Sequence, residues 1–289
     1  MFSSTSFHLF RGFLFISIIG LGRPVTAQTA APVIAATAIT RVPKTITKPG
    51  LYIVKAELTF APATGDAIII AAPNVILDLG GHSLTNTAPS NSANTARGIV
   101  SLTDGNLTIR NGSVRGFNWG IFSNKDATTG GEVLVENVTM RSQTYTGATV
   151  RGNLVEVRHC TIIGTGGTPN GTAQALSVGG NVVKVIDNTV LNMTRFYAGQ
   201  DLTGMDIRCN TGMLITGNTV MNDARVLGDT GISTSYFGDF AAGVARFVRN
   251  NQVSYFSVGF SIGGAKYEDN LTLGCTTPFN GGTAVGANN

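Results

Sequence analysis

Apolar and polar positions alternate along this chain in a frame that is clearest in Asn181–Thr194, where Val182, Val185, Asn188 and Val190 stand out and Val183 falls outside the pattern. An apolar residue is followed three positions on by a small or amide side chain, and two further on by a second apolar residue. Earlier copies are Leu79-His82-Leu84, Ile109-Gly112-Val114, Val135-Val138-Met140 and Val157-Cys160-Ile162. Later ones are Ile215-Asn218-Val220 and Val248-Asn251-Val253, with a degraded copy around Asp269, Asn270 and Leu273. The spacing drifts between roughly 20 and 33 residues, the range of a solenoid built from single stacked turns.

Two short strand-like segments in each copy flank an Asn, Gly or Asp able to take the left-handed backbone of a tight corner. A third opens one loop later, at Gly98-Ile99, Gly120-Ile121, Gly147-Ala148, Ala175-Leu176, Gly204-Met205, Gly231-Ile232 and Gly259-Phe260. Three strands and three corners describe a coil, and stacked coils bury a column of aliphatic side chains that no single coil buries alone. The expected fold is therefore all-β: a single-stranded right-handed parallel β-helix, three strands per coil, about eight to nine coils. Charges test the register independently. Aligning the frames places Arg110, Glu136 and Arg158 in one outward column and Glu156 above Lys184 in the next, so opposite charges meet on neighbouring coils.

Composition agrees with one elongated domain. The 289 residues include 37 Gly and only 12% charged residues, and no long stretch keeps a 3.6-residue apolar period. Residues 1–27 have the form of a secretory signal: Arg11, an apolar core over Gly12–Leu21, and small residues ending at Ala27. A secreted or periplasmic protein is expected, with no membrane span after cleavage. The formal charge of +4 has no Lys/Arg run and no aromatic-basic interleaving, which excludes a nucleic-acid partner. After the signal come a spacer over 28–39, an N-terminal cap over 40–65, coils over 66–276 and a tail over 277–289. That tail either folds over the last coil or leaves it to another subunit, so an oligomer formed through an uncapped C-terminal coil is one expected partner arrangement. Cys160 and Cys209 occupy inward places, and three thiols allow at most one disulfide. The sequons at Asn106, Asn111, Asn137, Asn170, Asn192 and Asn270 are read as corner asparagines followed by a strand Thr or Ser.

The coil pattern, the corner asparagines and the entry ITKPGLYIV followed by NVILDLGGHSL resemble the right-handed parallel β-helix proteins of the pectate-lyase-like superfamily, over about residues 40 to 276. That superfamily holds polysaccharide lyases, glycoside hydrolases, sugar epimerases, phage tailspikes and non-catalytic surface proteins, so fold alone does not choose among them. The chain lacks the RxPxxR of pectate lyases, the NTD and GHG of polygalacturonases and the DPHD of mannuronan epimerases, and His82 of its GGH is placed at an inward corner.

The resemblance implies a polysaccharide partner lying along the outward face of the first strand. With Met205 and Ile207 inward, that face presents Asp206 and Arg208, and on other coils Phe122 and Asn124, Thr149 and Arg151, Ser177 and Gly179, Ser233 and Ser235. Asp206, Arg208 and Arg151 are the catalytic candidates. Arg195, Tyr197, Asp201 and Tyr236, on the flanking loops, are the substrate-binding candidates. Eliminative cleavage of an acidic sugar needs a cation to hold the developing enolate and a base to take the proton beside the carboxylate, which Arg and Tyr supply in residue type. Hydrolysis needs two facing carboxylates, for which Asp206 with Asp201 or Asp229 are the candidates. No cofactor is expected. Calcium is the alternative, but it would need several clustered oxygens where the chain offers few carboxylates. The second functional expectation is a non-catalytic β-helix that binds glycan or organises an envelope structure.

Overall fold

The computed structural model describes residues 35–90, 93–167, 172–223, 225, 227–236 and 245–289. The expected export signal, most of the expected spacer and the sequon at Asn170 lie outside the described residues. So does the side chain of Tyr236.

Among the described residues every strand pairs with its neighbours in parallel, in one continuous 26-stranded sheet. Each strand bonds not to the next in sequence but to its equivalent one coil away, which makes the chain an all-β parallel β-helix with three faces. On the first face Ile68, Ile99, Ile121, Ala148, Leu176, Met205, Ile232 and Phe260 stack in register. Leu77, Ile109, Val135, Val157, Val185, Ile215 and Val248 do so on the second. Leu84, Val114, Met140, Ile162, Val190, Val220 and Val253 do so on the third. All 22 side chains are 0% exposed. Like residues repeat at the interstrand spacing, so the core is a column of aliphatic groups sealed at every level by the coil above.

The corner between the second and third faces explains the repeating amides. Asn111, Asn137, His159, Asp187, Asn250 and Asp269 take φ of 51–58° there, and Gly217 takes 70°. The next residue then points inward. From Asn188 onward it is always asparagine: Asn188, Asn218, Asn251 and Asn270 are each at most 1% exposed. The Oδ1 of Asn188 accepts from Cys160 N at 2.9 Å; those of Asn218, Asn251 and Asn270 each accept from the backbone N–H and the Nδ2 of the preceding asparagine, at 2.9–3.1 Å, and Asn288 ends the ladder at 3.2 and 3.3 Å. A buried corner backbone is satisfied in this way without water.

The charge register is as the sequence predicts. Glu136 pairs in register with Arg110 and Arg158, and Glu156 with Lys184. Arg158 bridges Glu136 at 2.7 Å and Glu156 at 2.9 Å, while Arg110 turns instead to Asp78 at 2.9 Å.

Four expectations need correction. Residues 40–65 do not form a separate cap: strands Thr37–Ile39, Lys44–Ile46, Gly50–Val54 and Leu58–Phe60 are already parallel members of the coils. The tail continues the solenoid, since Thr277–Asn280 and Thr283–Ala284 pair with the coil before them and Phe279 stacks between Phe260 and Tyr267 at 5.1 and 4.9 Å. Leu77, not Leu79, is the partner of Ile109, because the Gly80-Gly81 corner carries extra residues. His82 is therefore half-buried on the outside beside Glu57, with Nδ1 3.4 Å from Oε1. Val183 is buried and Val182 is exposed, reversing their roles in the frame. Of the sequons, Asn111, Asn137 and Asn192 are left-handed corners, whereas Asn270 belongs to the inward ladder. Cys160, Cys209 and Cys275 are free thiols, and burial pushes the pKa of Cys160 up to about 12.

Candidate functional site

The first face carries a column of small residues near the start of its strands: Ala67, Gly98, Gly120, Gly147, Ala175, Gly204, Gly231 and Gly259. A Cβ on Gly204 would lie 2.6 Å from the carbonyl oxygen of Gly231, and one on Gly98 2.5 Å from that of Gly120. At these glycines neighbouring coils approach too closely for a side chain. The residues that follow alternate regularly, so the outward columns can be followed from coil to coil.

One column runs Phe122, Thr149, Ser177, Asp206, Ser233 and Ser261. The next runs Asn124, Arg151, Gly179, Arg208 and Ser235. Asp206, Arg208 and Arg151 therefore share one face. Arg151 and Arg208 are two coils apart, about 10 Å along the stack, and only Gly179 intervenes.

Asp206 is on the outward column yet only 6% exposed. Its neighbours cover it: Oδ2 accepts from Arg208 Nε at 3.1 Å, from Arg208 Nη2 at 2.9 Å and from Gln174 Nε2 at 3.2 Å. The carboxylate is thus spent on fixing Arg208, whose side chain remains 41% exposed. Arg151 is half-buried. Burial, and then the Arg208 cation, lower its pKa below the usual arginine range, against the opposing pull of Asp206. These mutual influences put the three charged groups in one electrostatic unit.

The loop candidates divide. Arg195, 15% exposed, forms an ion pair with the fully buried Asp229, whose other oxygen accepts from Leu202 N at 2.8 Å. Burial raises the Asp229 pKa and Asp201 raises it further, while Leu202 and Arg195 oppose the shift. Arg195 and Asp229 therefore hold the loop to the coil, and neither is presented to a ligand. Tyr197 is exposed and packs edge-on to Phe196 at 6.3 Å. Asp201 is exposed beside Gly228. For Tyr236 only the backbone is described, in register with Cys209 at the end of its strand. Among the described residues no three His, Cys, Asp or Glu side chains gather as metal ligands, and no helix is long and apolar enough to cross a membrane.

The same face carries groups that the sequence pattern did not single out. A further outward column runs Asp66, Arg97, Trp119, Thr146, Gln174 and Thr203. Trp119 meets Tyr145 edge-on at 5.2 Å and Phe122 at 5.8 Å, and Arg97, held by Asp66 at 2.6 and 2.8 Å, lies 5.4 Å from the Phe122 ring centre. The available signal was a polar or aromatic residue directly before every small residue of the Gly column except Gly259, which follows Val258.

No protein-family model, no curated protein and no solved structure matches this chain.

Proposed function

We propose that this chain is an exported carbohydrate-active protein of the pectate-lyase-like kind that binds an acidic polysaccharide across its first face and cleaves it by elimination. The observation that carries the reading is the pair of guanidiniums, Arg151 and Arg208, on one outward column with only Gly179 between them. Planar guanidinium forks match carboxylates bidentately, and the small residues around them leave a polymer room to approach. In the reaction Arg208, oriented by Asp206, stabilises the enolate that forms as the proton beside the sugar carboxylate leaves. Arg151 takes that proton, since burial and its cationic neighbour both ease loss of its own. The electron pair then expels the glycosidic oxygen of the adjoining sugar, leaving an unsaturated end.

Geometry disfavours the hydrolytic alternative. Inversion or retention needs two carboxylates facing across a bond, but Asp206 is committed to Arg208 and Gln174, and Asp229 is buried against Arg195. The same commitment of Asp206 favours, as a second reading, a groove that binds glycan without turning it over.

Incubation with uronate polysaccharides, followed by ultraviolet absorbance of unsaturated ends, tests the proposal. Turnover is expected to disappear in Arg208→Ala and in Asp206→Ala, and to fall by about two orders of magnitude or more in Arg151→Ala. Turnover surviving both of the first two changes would show that the reaction occurs elsewhere. Saturable binding without new chain ends would establish the binding reading.

A further inference from the structure

The rings around Trp119 are not core residues. They stand on the outside of the solenoid, partly exposed, one coil from Arg151 and three from Arg208. Between them and the arginines the outward columns hold only the small residues Thr146, Thr149, Ser177 and Gly179, so no bulky side chain separates the two groups along the stack. The edge-on contacts of Trp119 with Tyr145 and Phe122 fix the rings relative to one another. Arg97 is likewise fixed by its two bonds to Asp66. Rigid aromatic surface beside a pre-oriented donor is what a ring with one apolar face and polar edges can use, because little motional freedom is lost on binding.

A pyranose is such a ring: its C–H groups lie against an aromatic face while its hydroxyls reach outward. We propose that Trp119 and Tyr145, with Arg97 at their edge, form a sugar-stacking subsite for the same acidic polysaccharide. The polymer then runs along the helix axis, across coils, over about 14 Å from Trp119 to Arg208. This subsite grips the sugar ring and Arg151 and Arg208 grip its carboxylates, so the proposal rests on the functional reading above.

Trp119 is the only tryptophan in the chain, so its emission reports on the subsite alone. Uronate hexasaccharides titrated into the full chain should shift Trp119 emission and shield it from a soluble quencher. By calorimetry, Trp119→Ala and Tyr145→Ala should each bind the hexamer about tenfold more weakly. Tyr145→Ala retains the tryptophan, so its emission also verifies that the variant is folded. Binding that depends on Arg208 but leaves Trp119 emission unchanged, with both ring variants at parental affinity, would overturn the subsite and leave the functional reading standing. Absence of any uronate hexamer binding to the parent protein would overturn both.

Discussion

Replacing Asn218 tests the amide ladder that ties together the corners of the C-terminal coils. Its side chain has five partners at 2.9–3.0 Å: the two hydrogens of Nδ2 are shared among Asn251 Oδ1, Val185 O and Thr216 O, and Oδ1 accepts from the N–H and Nδ2 of Asn188. With 0% exposure, water cannot replace them. Asn218→Leu keeps the number of side-chain heavy atoms, though its methyls are bulkier, and removes every bond, orphaning the buried Asn188 N–H at about 1–3 kcal/mol. The remaining bonds share acceptors that keep other donors, and add roughly 0.5–1.5 kcal/mol each. Taking the low end of each range, a loss of at least about 3 kcal/mol is expected. Asn288→Leu, at the solvent-facing end of the ladder, should lose about 1 kcal/mol or less, because water takes over there. Equilibrium denaturant unfolding followed by circular dichroism gives both values. Equal losses at the two positions would refute the claim that the ladder, rather than aliphatic volume, secures this corner.

Two further predictions concern burial. Lys125 is 7% exposed, donates to the Gly105 carbonyl at 2.5 Å, and is lowered by desolvation to a pKa of about 8, with Asp104 opposing the shift. Between pH 8 and the ordinary lysine value the unfolded chain holds this proton and the folded chain has released it, so stability should rise with pH across that window. The slope is at most about 1.4 kcal/mol per pH unit, and subtracting the profile of Lys125→Met isolates it; identical profiles would refute the assignment. Gly231→Ala would bring a Cβ against Val253 and within 2.7 Å of the Gly259 carbonyl oxygen, and should lose roughly 1–3 kcal/mol by overpacking in thermal melts. An unchanged melting temperature would show that the small column is not sterically required.

The coil register was legible in the sequence because two independent periodicities, aliphatic inside and charged outside, agreed on one alignment. Glu136 between Arg110 and Arg158 could not arise from a slipped frame, since a one-residue shift turns every side chain to the opposite face. The ends were less legible. In Lys44–Ile46 and Thr277–Asn280 the outward positions are exposed and the inward ones few, so short terminal strands carry too little alternation to distinguish a coil from a cap. The amide ladder was visible as recurring asparagine but assigned to the corner itself. The left-handed residue is the one before it, and this distinction depends on φ rather than on residue type. Trp119 was missed because the Gly column interrupts strict alternation: its side chain and that of Phe122 both point outward although three positions separate them. Arg195 was misjudged for a different reason, because its partner Asp229 lies 34 residues away on the next loop and no periodicity links them.

The three faces differ in what their outward positions are free to do. On the second face the charges neutralise one another from coil to coil, Asp78 with Arg110 and Glu136 and Glu156 with Arg158 and Lys184. On the third, Thr139, Thr161, Thr189 and Thr219 form an uncharged row. The third face also carries a like-charged pair, Arg115 in register with Arg141, but on adjacent coils with no residue between them. The first face sets one carboxylate, Asp206, against two guanidiniums, Arg151 and Arg208, while Asp66 neutralises Arg97. A local positive excess beside low-dielectric backbone attracts a polyanion more strongly than the modest charge of the whole chain would. Because both cations come from the same column on different coils, a ligand satisfying both must cross the strands rather than follow one. The proposed polymer direction therefore follows from the register itself, and a small anion, able to engage only one guanidinium at a time, should bind this face far more weakly than an oligomer of the same charge per unit.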